Sequence, residues 1–209
     1  MLYYYIKIYG YFLSVRGFMT DFSPIQDFIS QFPIYQYAFI KPEAIDFDQS
    51  LRAMCKRDCP KYDTSWGCPP AVVKADKCRS RCMKFSDALV FSTFAAADGR
   101  DDVKSRLSSL DDHEKLTGII ESHMKDIGLL TYTISSDACH VCSKCTFPFE
   151  ECRKPDEMHA CIESHGIMIR KLAEDCLMDY DLGEKLYLWF TIIFFRDVPV
   201  PELSAGGER

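Results

Sequence analysis

Residues 186–195 read LYLWFTIIFF, ten uncharged and mostly bulky residues in a row. A half-exposed strand alternates apolar and polar side chains, whereas a short unbroken apolar run fits a strand that is buried. The stretch therefore predicts the central strand of a sheet, and the rest of the chain must supply its neighbours. ALVFSTFAA (88–96) reads as a second buried strand and LLTYTIS (129–135) as a third. YQYAFI (35–40), alternating and aromatic, reads as a fourth.

Helices fill the intervals. Residues 21–32 predict a short helix with Ser23 as N-cap and Pro24 in the first turn. AVVKADKCRSRCMKFS (71–86) has a helical pattern. Val103, Leu107, Leu110, Leu116, Ile120, Met124 and Ile127 recur at three to six residues, which predicts an amphipathic helix from Asp101 to Ile127, broken near SSLDD (108–112). Helix-like segments lie on either side of Gly166 within 156–178, and 51–70 is a loop rich in Cys, Pro and Gly. The expected fold class is α+β: a single small sheet with flanking helices and cysteine-rich metal-binding loops at its strand ends.

The chain of 209 residues is long enough to bury a core without disulfide staples. A net charge of −6 argues against nucleic-acid binding, which needs a basic surface. Residues 1–18, MLYYYIKIYGYFLSVRGF, are apolar and aromatic, but Lys7 and Arg16 interrupt them, and no stretch is long enough for a membrane span. An edge strand, a poor signal peptide and an upstream extension all compete for this segment. The extension is favoured, with a natural start at Met19, because MTDFSPIQDFISQF opens as an ordinary helix. The expected organisation is thus an N-terminal extension (1–20), a cysteine-rich metal-binding domain (21–198) and a disordered tail (199–209). The expected compartment is the cytoplasm, where thiols stay reduced and clustered cysteines mean metal or redox chemistry. Eleven cysteines, an odd number, cannot all pair internally.

Residues 139–152, CHVCSKCTFPFEEC, place Cys139, Cys142, Cys145 and Cys152 in one loop. Structural zinc sites draw two thiolates from each of two separated knuckles, because one tight loop rarely reaches every corner of a tetrahedron. A C-x2-C-x2-C run suits an iron–sulfur cube, in which each thiolate caps a different iron and a more distant cysteine completes the set. An upstream block, CKRDCPKYDTSWGCPP, supplies Cys55, Cys59 and Cys68, stiffened by Pro60, Pro69 and Pro70. Three thiolates leave a cube incomplete. Either Cys78 or Cys82 folds back as the fourth ligand, or one iron stays open to a substrate, a water or a carboxylate.

The two blocks together, C-x3-C…W-x-CPP and C-x2-C-x2-C-x6-C-R-x-P…E-x-x-GI, resemble the DUF2284 family of predicted metal-binding proteins. The resemblance spans roughly residues 35–196 and is carried by Cys55, Cys59, Trp66, Cys68, Pro69 and Pro70, then by Cys139, Cys142, Cys145, Cys152, Arg153, Pro155, Glu163, Gly166 and Ile167. It implies metal binding in an anaerobe, with Trp66, Arg153 and Glu163 beside the ligands. Cys161 stands where the family usually has a small hydroxyl residue. Cys78, Cys82 and Cys176 fall outside the pattern.

The other candidates have plainer readings beside their functional ones. His140 is either a cluster ligand or a solvated loop histidine, and His113 and His123 are expected on the helix surface. Lys56, Arg57, Lys61, Lys74, Lys77, Arg79, Arg81 and Lys84 either raise a cluster's potential and steer an acidic partner, or simply solvate a helix face. Arg153 either donates to cluster sulfur or pairs with Glu150 or Glu151. Glu163 is an acid/base group, an oxygen ligand, or a partner for Arg153. Cys176 is a plain buried thiol. No phosphate loop, dinucleotide fingerprint or serine-nucleophile motif is present. The leading expectation is a protein with one or two [4Fe-4S] clusters that passes electrons to a redox partner. The alternatives are an enzyme using an open iron as Lewis acid and a zinc-stabilised interaction module.

Overall fold

The computed structural model describes residues 5–6, 21–99, 102–139 and 141–198. In chain order the strands are β1 (Tyr5–Ile6), β2 (Gln36–Ile40), β3 (Asp87–Ala96), β4 (Leu129–Ser135), β5 (Ala160–Cys161) and β6 (Leu186–Asp197). The helices are α1 (Ser23–Ile29), α2 (Leu51–Asp58), α3 (Ala75–Cys82), α4 (Val103–Asp126) and α5 (Ile169–Asp175), with single 3₁₀ turns at Pro42–Ala44 and Glu163–His165. The six strands form one sheet in the order β1-β2-β3-β6-β4-β5. Only the β4–β5 pairing is parallel. The fold is α+β, and the expected central strand pairs along its length with β3 and β4.

The apolar run of β6 needs cover on both faces, and it has it. Ile193 and Phe195 point with Leu89, Phe91 and Phe39 toward α1 and α4, packing on Ile25, Ile29, Ile120 and Met124. Ile192 and Phe194 point with Val90, Ala38 and Ile134 to the opposite face, against Cys78, Cys82, Leu172 and Cys176. The period of two along each strand thus sorts neighbours into two cores. No helix among the described residues is long and apolar enough to cross a membrane.

Several expected elements differ. The long helix is continuous through SSLDD: Ser109 Oγ donates to Arg106 O at 3.0 Å, and Leu110 and His113 keep the buried face unbroken. Asp102 caps it by accepting the Ser105 N–H at 3.1 Å. Phe22, not Ser23, is the α1 N-cap, and the Ser23 N–H turns back to Asp21 Oδ1. Cys55 lies on α2, where a loop was expected, and β5 is a strand too short for a period to reveal. His113 is buried rather than superficial, bonded at 2.8 Å to Thr93 Oγ1 and at 2.9 Å to Thr191 Oγ1. His123 stacks on Phe28 with ring centroids 3.7 Å apart. In the N-terminal segment, the backbone of Tyr5–Ile6 pairs with Phe39 and Ala38. Apart from 5–6, the reading of 1–20 as an extension lies outside the described residues, as do the tail beyond 198 and the role of His140.

One charged network fixes β5 and its leading residue. His159 sits between two α4 carboxylates, Nδ1 at 2.9 Å from Glu114 Oε2 and Nε2 at 3.4 Å from Glu121 Oε2. Burial disfavours the imidazolium, but the two carboxylates outweigh it and lift His159 to about 9 from 6.5. Glu121 is opposed by burial as well, yet the His159 bond holds it down at about 2. A raised histidine stabilises the fold fully below 6.5 and ceases to do so as pH climbs to 9. The thermal midpoint is therefore expected to fall between pH 6.5 and 9, and His159→Gln to flatten that slope. Equal slopes in the two proteins by differential scanning fluorimetry would contradict the network.

Candidate metal centre

The C-terminal site grows from the end of β4. Cys139, Cys142, Cys145 and Cys152 line one small cavity with Trp66, Arg153 and Met158. The loop is closed on itself by local bonds rather than by regular structure. Arg153 Nη2 donates to Lys144 O, and Thr146 Oγ1 donates to Glu151 O at 2.8 Å. Arg153 thus clasps a backbone carbonyl, and neither Glu150 nor Glu151 is its partner among the described residues. Trp66 reaches in from the other block. Its indole N–H donates to Glu150 O at 3.2 Å, and its ring packs edge-on against Phe147 with centroids 5.1 Å apart.

The N-terminal site forms where α2 meets the Glu163–His165 turn. Cys55 rides the last turn of α2, Cys59 ends it, and Cys68 is buried in the following loop. Arg52 staples this helix down: its guanidinium donates to Val72 O, Val73 O and Ser164 O at 2.7 to 2.9 Å. The staple brings Cys55 within electrostatic reach of Glu163. A further bond, Asp48 N–H to Gly166 O at 2.6 Å, ties the same segments at a glycine with φ 80°.

Burial pushes the Cys68 thiol up to about 11, and the neighbouring Cys59, Asp137 and Cys55 add to the effect when charged. Burial likewise raises Cys55 and Cys139. Without a cation these are neutral thiols at physiological pH, and a metal ion would have to displace their protons. Such soft donors suit iron–sulfur or zinc chemistry. Among the described residues, no group of three His, Cys, Asp or Glu side chains is arranged to hold a single metal ion.

Gly67 joins the two sites. A methyl group there would lie 3.0 Å from Cys139 Cβ and 3.0 Å from His159 O, so any larger residue would press on both neighbours. Trp66 then faces the four-cysteine cavity while Cys68 faces Cys55 and Cys59.

The remaining sequence candidates fall elsewhere. Cys78 and Cys82 are buried in the apolar core, and Cys78 Sγ donates to Val73 O at 3.3 Å, so neither joins the triad. Cys176 is a fully buried core thiol, as expected. Glu163 is partly buried and is not paired with Arg153 among the described residues: it accepts from Cys161 Sγ at 2.8 Å. Apart from Arg52, the basic residues of α2 and α3 are exposed, with Arg57 paired to Asp58 at 2.6 Å. Sequence reasoning passed over His159 and His165. Both are isolated histidines, and only their partners on distant elements give them meaning.

The family described as predicted metal-binding protein (DUF2284) matches the chain over residues 38–195, which takes in both cysteine blocks. No curated protein and no solved structure matches the chain.

Gly67→Ala is expected to destabilise by about 1–3 kcal/mol, as overpacking does. Gly118→Ala, at an open position inside α4, should stabilise by about 0.5–1 kcal/mol. Paired thermal melts check both signs, and a neutral Gly67→Ala would mean that the two blocks are not in contact.

Proposed function

The chain belongs to the DUF2284 family of predicted metal-binding proteins, and from that premise we propose that it holds iron–sulfur clusters on its two cysteine sites and relays electrons to a partner redox enzyme. The observation that supports this most is the arrangement of Cys139, Cys142, Cys145 and Cys152. All four line one cavity, and they come from a C-x2-C-x2-C run with one more distant cysteine, the spacing that suits a cube. A tetrahedral zinc site needs sulfurs only ~3.8 Å apart, given Zn–S bonds of about 2.3 Å. A cube spreads its four thiolates over four separate irons, so the sulfurs stand further apart. The space between the side chains is about 20 Å³, room for a single water, so the four thiols must turn outward to admit a cube.

When bound, such a cluster supplies a reversible one-electron store. The protein's own residues do the rest. Trp66 and Met158 wall the cavity with apolar surface and limit water. Arg153, clasped to Lys144 O, fixes the loop's curvature and leaves a positive charge beside the four thiols. Such a charge favours the reduced state of an anionic centre. The exposed lysines and arginines of α2 and α3 suit an acidic partner. Phe149, 91% exposed on the four-cysteine loop, offers that partner an apolar contact. Contact of the two blocks at Gly67 allows an electron to pass from one site to the other. An oxygen-sensitive protein of an anaerobe's cytoplasm fits this chemistry.

Protein purified without oxygen is expected to be brown, with iron and acid-labile sulfide in equal amounts. Cys142→Ser should lose the iron of one cluster, whereas Cys176→Ser should keep it all. Stoichiometric zinc without sulfide after anaerobic work would falsify the reading.

A further inference from the structure

We propose that Cys161 is the fourth thiolate of the N-terminal site, closing the set begun by Cys55, Cys59 and Cys68; this rests on the iron–sulfur reading of that site. Cys161 is held by every polar group it has. Its N–H donates to Gly67 O at 3.0 Å, which sets it beside the residue that precedes Cys68. Its carbonyl accepts from His165 Nδ1 at 3.0 Å and from Ser164 Oγ. His165 is itself fixed, since Tyr132 OH donates to its Nε2 at 2.6 Å. That bond leaves Nδ1 as the donor, and burial keeps the ring neutral.

The thiol itself donates to Glu163 Oε2, 2.8 Å away. Both side chains lie within electrostatic reach of the triad, Cys161 of Cys68 and Glu163 of Cys55. A partly buried thiol beside a partly buried carboxyl contributes little to a core, because each polar group needs the other merely to offset desolvation. The arrangement makes sense as a donor pair aimed at the triad, with Glu163 positioning the thiol.

The ligand count decides what the site can do. With Cys78 and Cys82 committed to the core, three thiolates alone would leave one corner open to substrate. With Cys161 the cube is closed, and electron relay is the chemistry that remains. In that set Cys59 is exposed, Cys55 and Cys161 are half-buried, and Cys68 is buried.

The test compares wild type, Cys161→Ser, Cys161→Ala and the core control Cys78→Ala. Each is reconstituted anaerobically with ferrous iron and sulfide, then read for iron per folded chain and by electron paramagnetic resonance. The serine variant can still donate to Glu163, so it is expected to fold. Cys161→Ala should lose about half the iron, Cys161→Ser should keep iron with shifted g-values from oxygen ligation, and Cys78→Ala should match wild type. Full iron and unchanged spectra in both Cys161 variants would overturn the assignment while leaving the cluster reading intact. Wild type that takes up no iron would overturn both.

Discussion

At Gly67 a side chain would press on Cys139 and on the His159 carbonyl, and most of the site's geometry depends on that close approach. Cys139 Cβ and His159 O both crowd the position at 3.0 Å, so the N-terminal cysteine loop lies directly on the start of the C-terminal one. The carbonyl of the same glycine takes the Cys161 N–H and so sets the register of β5. Through β5 the contact reaches β4, whose Ser135 pairs with Cys161, and through β4 it reaches the central strand β6. A single close approach thus links both cysteine blocks to the rigid sheet. Sites seated on strands hold their geometry better than sites on free loops.

The sheet's two faces do different work. The α1 and α4 face is an ordinary apolar core, while the opposite face carries α3, α5 and the turns that approach the cysteines. Polar residues pass between them. His113 is bonded to Thr191 on β6, Thr191 lies 3.1 Å from Ser135, and Ser135 donates to Glu114, which holds His159. Buried polar chains of this kind are costly unless every member is satisfied, and satisfied ones fix a single arrangement. Here the arrangement they fix is that of the segment 159–161, beside both sites.

Much of this was legible in the sequence. LYLWFTIIFF named the central strand because nothing but two-sided burial explains ten uncharged residues in a row. LLTYTIS read as a strand that leads directly into the cysteine loop. The two cysteine blocks declared themselves by spacing alone. What stayed hidden depends on distance along the chain. Arg52 looks like one more exposed helix charge until Val72, Val73 and Ser164 supply three carbonyls. Cys161 looked like a departure from a pattern, and Cys78 and Cys82 looked like spare ligands one helical turn apart. Only the packing of α3 against the core separates those roles, and no local period encodes it. His113 was misplaced for a related reason: a histidine on an amphipathic helix reads as polar, yet Thr93 and Thr191 satisfy both its nitrogens inside.

The central claim is that two cysteine sites share one wall, Trp66–Cys68, and work as a connected pair. Electron paramagnetic resonance of the fully reduced protein tests it most directly, because two paramagnetic clusters this close couple through space. The account predicts a broadened, fast-relaxing spectrum that differs from the sum of two isolated signals, and that simplifies when Cys142→Ser removes one partner. Two sharp, independent signals in the fully reduced protein would contradict it.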